Sequence, residues 1–517
     1  MSSQPSFELT RTGSRIIRRN SMVASERDLE SGTIDTDETR NDPNTGEAEK
    51  ANAADPNIVD WDGPDDPKNP RNWSKSFMFA NVAIVSALSL TANLAATMYA
   101  PGALALAHDF HITSTIEATF TVSIYILGFC IGPLVVSSMS EVYGRLIIYH
   151  VCDVFYVGFS LGCAFATSDV QFLIFRFLCG CAASAPMTVG AGTLADMFPP
   201  EERGKAMAIY GLGPLLGPVI GPIAGGFITQ SIGWRWTFRI IVIMAGIFSL
   251  AGVVVLRETY EPTLLEAKAK HMRKTTGNDK LRARTHKNLT PTQLFLEGVS
   301  RPTRMLFLSP VVTLLSIYCA FVFGLIFLLF TTFPMVFAEQ YGFSPGTAGL
   351  CYLGVGIGMA CAVVIFSLVS DKLVREPKAG EKSRPELRLI PMMWFSPVIP
   401  AGFFWYGWTA YHKNHWIVPI LGTFLVGFGS LFVIFTTQIY CVDAFGPRAA
   451  ASSIAANTMA RNIAGAFLPL AAPAMYKNLG LGWGNSVLGF VCLIFLPVPI
   501  LFYRYGERLR KLGPRFD

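Results

Sequence analysis

The sequence predicts an all-α membrane protein: twelve transmembrane helices in two six-helix pseudo-repeats. Three observations predict it. Apolar stretches of about 20 residues recur along the chain, each long enough as a helix to cross about 30 Å of hydrocarbon. Charge is scarce: of 517 residues, 51% are hydrophobic and 15% charged, with a mean hydropathy of +0.41, where soluble domains carry about a quarter charged residues. Short motifs in the first half return at matching places in the second. A soluble enzyme is excluded.

The elements follow in order. Residues 1–72 hold 15 Asp/Glu against 9 Lys/Arg and no long apolar run, so they bury too little surface to offset their ordering entropy and are expected to form a disordered tail. Within it, Arg18-Arg19-Asn20-Ser21 has the form of a basic-directed phosphorylation site, a match short enough to arise by chance. Nothing there resembles a cleaved signal peptide. The first bundle, 73–256, contains apolar spans near 77–98, 116–139, 147–166, 170–195, 206–229 and 235–256. A hydrophilic central loop, 257–308, follows. The second bundle, 309–503, contains spans near 309–333, 345–369, 389–410, 415–440, 449–472 and 484–503, and residues 504–517 form a tail.

Orientation follows from Lys and Arg. The central loop holds eleven of them, residues 370–388 hold six and the segment from Arg504 onward holds five. The loops of the opposite side are nearly bare, with Lys413 and Lys477 the clear exceptions. By the positive-inside rule both termini and the central loop are expected to be cytoplasmic. The sequons at Asn72 and Asn288 then lie on the side where glycosylation does not occur.

The halves repeat. Ser-x-x-Ser-acid occurs at 137–141 and again at 367–371, while Asp-x-Phe closes span four at 196–198 and span ten at 443–445. From Asp196 to Trp234 the chain runs 38 residues, and from Asp443 to Trp483 it runs 40. Three matches in register make a duplication credible. The ten cysteines lie almost all within or beside apolar spans and form no C-x-x-C pair. They read as small buried hydrophobes, and no metal or cofactor is expected. No G-x-x-x-x-G-K-[ST] loop is present, and no nucleic-acid partner is expected.

Span five carries an unusual pattern, GPLLGPVIGPIAGG over 213–226. Gly213, Gly217, Gly221 and Gly225 recur every fourth residue, so they drift by only about 40° per step and form one shallow stripe. Pro214, Pro218 and Pro222 each remove a backbone donor, which loosens the helix without a single break. Gly226 extends the run. Small-residue stripes let a neighbouring helix approach closely in lipid.

At this point the residues resemble a family. GPLVVSSMSEVYGR (132–145) resembles the loop motif of the major facilitator superfamily, RFLCGCAAS (176–184) its helix-four motif, and 213–226 the helix-five motif of its antiporters. DGPDDPKNPRNWS (62–74), YAPG (99–102), GWRWTF (233–238), LLFTTFP (328–334) and LGLGWGNS (479–486) are similar to the fungal twelve-span drug:proton antiporters, those exporting toxins and other secondary metabolites in particular. The resemblance implies a monomeric, proton-coupled exporter of hydrophobic small molecules in the plasma membrane, with the vacuolar membrane as the alternative. It also implies that helix five packs at the interface between the halves. An uptake carrier or facilitator for a small polar nutrient is the runner-up function, and a channel or membrane enzyme a distant third.

The resemblance also weights individual residues. Arg176 lies within span four, where an arginine costs roughly 2.5–3.5 kcal/mol near a helix centre. Snorkelling to the interface is the bland account. A role in proton coupling, through carboxylates or the helix-one backbone, is the one preferred. Span one has no acid, and Asn93 is its obvious polar residue. Asp153, inside span three, and Glu117, opening span two, are the carboxylate candidates for carrying the proton. Glu141, Gly144 and Arg145 form the cytoplasmic gate motif, bridging to neighbours and helix dipoles. Val142, Leu146 and Ile147 stand where the family usually adds further basic residues. The substrate cavity is expected to be largely apolar, with Asn93, Tyr318, Phe327, Gln438, Asn457 and Arg461 as candidate lining residues.

Overall fold

A computed structural model describes residues 57–286, 290–374 and 385–512. Ser21 and Asn288 lie outside these residues. The backbone is almost wholly helical, as a chain in hydrocarbon must satisfy its polar groups within each segment. Short polar residues set the starts. Ser74 accepts the Phe77 N–H at the head of α1 (Lys75–Thr97), and Ser114 accepts the Glu117 N–H at the head of α2 (Thr115–Tyr143). The first half continues with α3 (Arg145–Ala164), α4 (Asp169–Ala183), α5 (Ala185–Met197), α6 (Pro200–Ile232) and α7 (Arg235–Val255). Span four is thus divided into α4 and α5 just before Pro186. Span five, by contrast, stays one 33-residue helix through its three internal prolines.

The central loop is not irregular. It contains α8 (Glu261–Thr276) and α9 (Pro291–Leu308), the latter opened by a reciprocal cap between Thr290 and Gln293. Residues 57–72 also depart from the expected disordered tail. Strand β1 (Ile58–Val59) pairs in parallel with β2 (Arg282–Ala283). Lys268 bridges to Asp62 at 2.5 Å, and Arg284 holds both Asp60 at 2.9 Å and Glu261 at 2.5 Å. The Asp66 carboxyl accepts the N–H of Asp62 and of Lys68, which holds it below the usual carboxylate range. The apolar side of this strap is Val59, Ala269 and Leu281.

The second half comprises α10 (Pro310–Tyr341), a short helix at Pro345–Leu350, α11 (Tyr352–Val374), α12 (Val398–Tyr411), α13 (Ile417–Phe467), α14 (Ala472–Phe495) and α15 (Pro497–Leu512). Eleven segments of the described chain are long and apolar enough to cross a membrane, against twelve expected. The difference lies in the last, Ala449–Arg510, whose 62 residues are ample for two crossings. A tight turn at Leu468–Ala471 and a φ of 71° at Gly480 interrupt it.

Contacts fix the directions. Trp416 lies beside Phe343, past the end of α10, whereas Asp443 pairs with Arg388 before α12 begins. Asn457 then meets Ser316 near the start of α10, and Ala464 meets Gly324 further along it. Helix α13 is helical for 51 residues, yet these partners require the chain to reverse between Asp443 and Asn457. In α14, Asn485 packs on Gly407 and Gly489 on Phe404, so α14 runs antiparallel to α12.

Two helix–helix contacts dominate the junction of the halves. Helix α2 meets the later part of α13, where Asn462 donates to the Phe129 carbonyl at 2.9 Å and Cys130 lies 3.6 Å from the Met459 carbonyl. Helix α6 meets the Pro345–Leu350 helix and α11: Gln230 accepts from Ser344 and from the Gly346 N–H, and Gly349 abuts the Pro222 carbonyl. On the face carrying the central segment, α9 touches both halves, through Gly298 on Ser138 and through Met305 and Leu306 clustered with Val312 and Ala449.

Candidate transport site

Arg176 does not snorkel. It is fully buried, its Nη2 donating to the Ala95 carbonyl at 2.7 Å and the Ala96 carbonyl at 3.4 Å. The guanidinium also lies over the Tyr125 ring at 4.4 Å, Phe238 at 5.3 Å and Tyr99 at 5.6 Å. A hydrogen bond from a charged donor stabilises by about 1.5–3 kcal/mol and a desolvated cation–π contact by up to about 2, enough together to offset its insertion cost. Among the described residues no carboxylate pairs with it, and its Nε and Nη1 have no partner. Of the two routes expected, the helix-one backbone is therefore the one in contact. Asn93 is not its partner, since that amide donates to the Ser89 carbonyl and lies 3.3 Å from the Met187 sulfur.

The glycine stripe faces α1 rather than the other half. A Cβ on Gly213 would meet the Ser86 carbonyl, on Gly217 the Asn93 Cβ, on Gly221 the Thr97 hydroxyl, and on Gly225 the Met98 carbonyl. The close contact made by the stripe itself therefore lies within one bundle. Another face of α6 reaches the seam between the halves, through Val219 on Gly356, Pro222 on Gly349 and Gly226 on Pro345. The glycines that admit α6 there, Gly349 and Gly356, belong to the second half. Pro214 frees the Tyr210 carbonyl, which lies 3.4 Å from the Ser86 hydroxyl that also donates to Ile209 at 3.1 Å.

The loop motif is built around two acids, Asp196 of the repeated Asp-x-Phe motif and Glu258, neither of which was expected to belong to it. Arg145 pairs with Asp196 at 3.3 Å, donates to Ser140 at 2.9 Å and stacks over Tyr260 at 4.6 Å. Glu258 accepts the N–H groups of Arg145 and Leu146 at 3.0 and 3.1 Å, capping α3 and complementing its dipole. Gly144 fits this cap doubly: its φ is 95°, and a Cβ would strike the Glu258 carboxylate. Glu141 is exposed and forms no ion pair among the described residues, so the acid expected to bridge is not the one that does. Arg388 and Asp443, paired at 2.9 Å, repeat the Arg145–Asp196 bridge in the second half. The repeated Asp-x-Phe motif was the signal for both.

The remaining candidates scatter. Asp153 is buried in α3 with one carboxylate oxygen lacking a partner, and Tyr156, one turn on, lies within electrostatic reach of both Asp153 and Arg176. Glu117 sits at the opposite end of the bundle in contact with the Asp169 carboxyl. Tyr318 stacks flat on Phe495 at 5.2 Å within the second bundle, away from the seam. Phe327 packs between Phe323 and Phe330. Gln438 is half-buried, and Asn457 is buried, its Nδ2 3.4 Å from Ser316. Arg461 lies over Phe323 at 4.7 Å.

A cavity of about 1000 Å³ opens on the face opposite the central segment, between Ser114 and Thr115 of the first half and Met335, Glu339, Lys413 and Lys477 of the second. None of the six expected lining residues borders it, and its charged rim differs from the apolar wall expected. Lys413 and Lys477 are the two lysines that stood out on otherwise bare loops.

Two helical bundles, a repeated ion pair and a seam closed by glycine contacts define a two-half membrane transporter. The sequence profile of the Major Facilitator Superfamily matches residues 85–469, and the chain belongs to that family. It is 59% identical over 465 residues to the MFS transporter prlG of a fungal species, covering 90% of this chain and 98% of that one. It is 54% identical over 479 residues to the MFS-type transporter phm3 of Pyrenochaetopsis sp., covering 92% and 99%. It is 52% identical over 457 residues to the trichosetin biosynthesis cluster MFS transporter of Gibberella fujikuroi, covering 88% and 89%. Among solved structures, the partially occluded inward-open xylose transporter XylE of E. coli aligns with a TM-score of 0.62 at 18% identity, over 83% of this chain and 98% of that chain. At that identity the likeness shows the fold. The family is one of transporters, not of enzymes.

Proposed function

We propose that this protein exports a hydrophobic secondary metabolite across the plasma membrane, by alternating access, in exchange for protons. The observation that carries the reading is its 52% identity, over nearly the whole chain, to a transporter named for a biosynthesis cluster. A carrier tied to a biosynthetic cluster has the product of that cluster as its natural cargo. Both termini are cytoplasmic, so the cavity rimmed by Lys413 and Lys477 opens outward. Arg176 supplies a fixed, desolvated charge beside α1, and Asp153 is the carboxylate that takes the proton, with Tyr156 between them.

One proton moving down the membrane potential releases about 2.3 kcal/mol per 100 mV, and a unit of pH difference adds about 1.4 kcal/mol. Together they support an outward gradient of a neutral compound of several hundred-fold. The test is reconstitution in vesicles with an imposed pH gradient and a panel of apolar toxins. Accumulation should follow the gradient and collapse with a protonophore. Arg176→Ala should abolish concentrative movement and leave downhill exchange measurable. Movement indifferent to both gradient and protonophore rejects antiport and favours a facilitator.

A further inference from the structure

We infer that the cargo carries a negative charge and that Arg461 is the group that receives it. This rests on the export reading for the identity of the process, but its physical basis is separate. Arg461 lies in the later part of α13, which forms the seam with α2. Its neighbour Asn462 donates to the Phe129 carbonyl across the seam, and Gly465, one turn on, sits against Phe323 and, from the other half, Ile126. The guanidinium lies over the Phe323 ring at 4.7 Å.

Three features make this arginine a binding group rather than a structural one. It has no carboxylate partner among the described residues, and its buried Nε has no hydrogen-bond partner. It is nevertheless partly accessible, and not toward lipid. Helix residues advance by 100°, so Arg461 is about 160° from Ile463, which is 37% exposed. Asn462 and Gly465, about 100° and 40° from Arg461 around the helix, both touch the first half, so its open side faces the seam. Arg176 offers the contrast: fully buried, bound to two carbonyls and enclosed by three rings, it has no open side.

The surrounding charge agrees. Arg176 and Arg461 give the interior two cations without counter-ions. The one acid deep within a span, Asp153, is buried in α3 of the first bundle. At the far mouth, Lys413 and Lys477 face the cavity with Glu339 and form no ion pair with it. A neutral carbonyl gains only a single hydrogen bond from an uncompensated guanidinium, whereas a carboxylate also cancels its charge in a bidentate pair. Phe323 and Phe327 would hold the adjoining apolar body. The chemical class is an amphipathic organic anion.

The probes are 1-pyrenebutyrate and its neutral N-methylamide, which share an apolar body and differ in charge. Binding to the purified full-length protein is measured by fluorescence at pH 7.5. The wild type should bind the acid at least tenfold more tightly than the amide. Arg461→Gln should lower acid affinity to that of the amide and leave amide binding unchanged, which also certifies the folded state. Arg461→Lys should restore part of the preference. Equal wild-type binding of acid and amide overturns the inference without any variant. So does Arg461→Gln weakening both probes alike, or retaining the preference. Because the readout is binding, failure of proton-driven export in vesicles leaves this result standing, and failure here leaves export of neutral compounds standing.

Discussion

At the scale of the residue, the charged groups sort by what encloses them. Arg176 was legible as a costly intramembrane charge, but its partners were not, since backbone carbonyls and ring faces leave no mark in a sequence. The pairing roles of Asp196 and Glu258 were not legible for a related reason. Each lies beyond a span's end, where acids are ordinary, and acquires meaning only when Arg145 and the α3 N-terminus meet it. Gly144 is the point where that arrangement is most sensitive. Its φ of 95° is a region that side chains enter at a cost of order 1–3 kcal/mol, and a Cβ would displace Glu258 from the two N–H groups it caps. Gly144→Ala should therefore lower the melting temperature in detergent. Gly211→Ala, whose Cβ would meet nothing within 4 Å, should leave it unchanged or slightly raised. Equal melting of the two variants would separate Gly144 from any structural role.

At the scale of the element, α6 uses two faces for two tasks, and substitutions should tell them apart. The glycine stripe admits α1, so Gly221→Leu should act within the first bundle, lowering folded yield and melting temperature together with transport. Gly349 belongs to the Pro345–Leu350 helix and meets the Pro222 carbonyl across the seam, where a Cβ would lie 2.7 Å from it. Gly349→Val should hold the halves apart at that contact and stop transport with little change in folded yield. Size-exclusion profiles and melting curves, read beside uptake in vesicles, check both; a stable but inactive Gly221→Leu would return the stripe to the seam. The four-residue period was plain in the sequence, but period alone names a shallow face and not its occupant. The ordered strap at 57–72 was equally hidden. Its acids read as solvation until Lys268 and Arg284, more than 200 residues away, pair with them.

At the scale of the whole molecule, duplication was the most readable property, and it recurs as the paired bridges Arg145–Asp196 and Arg388–Asp443. These bridges, the β1–β2 strap and α9 lie on one face, and the lysine-rimmed cavity lies on the other. The face with the strap also holds the central segment with its eleven Lys/Arg, so the positive-inside rule assigns it to the cytoplasm. That assignment can be tested without knowing the cargo. Single cysteines placed at Lys280 and at Lys413, in a background lacking the ten native ones, should respond oppositely to a membrane-impermeant maleimide. In intact cells the position at 413 should label and the position at 280 should label only after permeabilisation. The reverse pattern would turn the cavity toward the cytoplasm and make the protein's outward path an inward one. Labelling of both in intact cells would place the central segment outside and break the alternation of crossings deduced for α13 and α14. The expected pattern would instead put Lys413 and Lys477 at the exit, the last cations an anionic cargo meets on its way out.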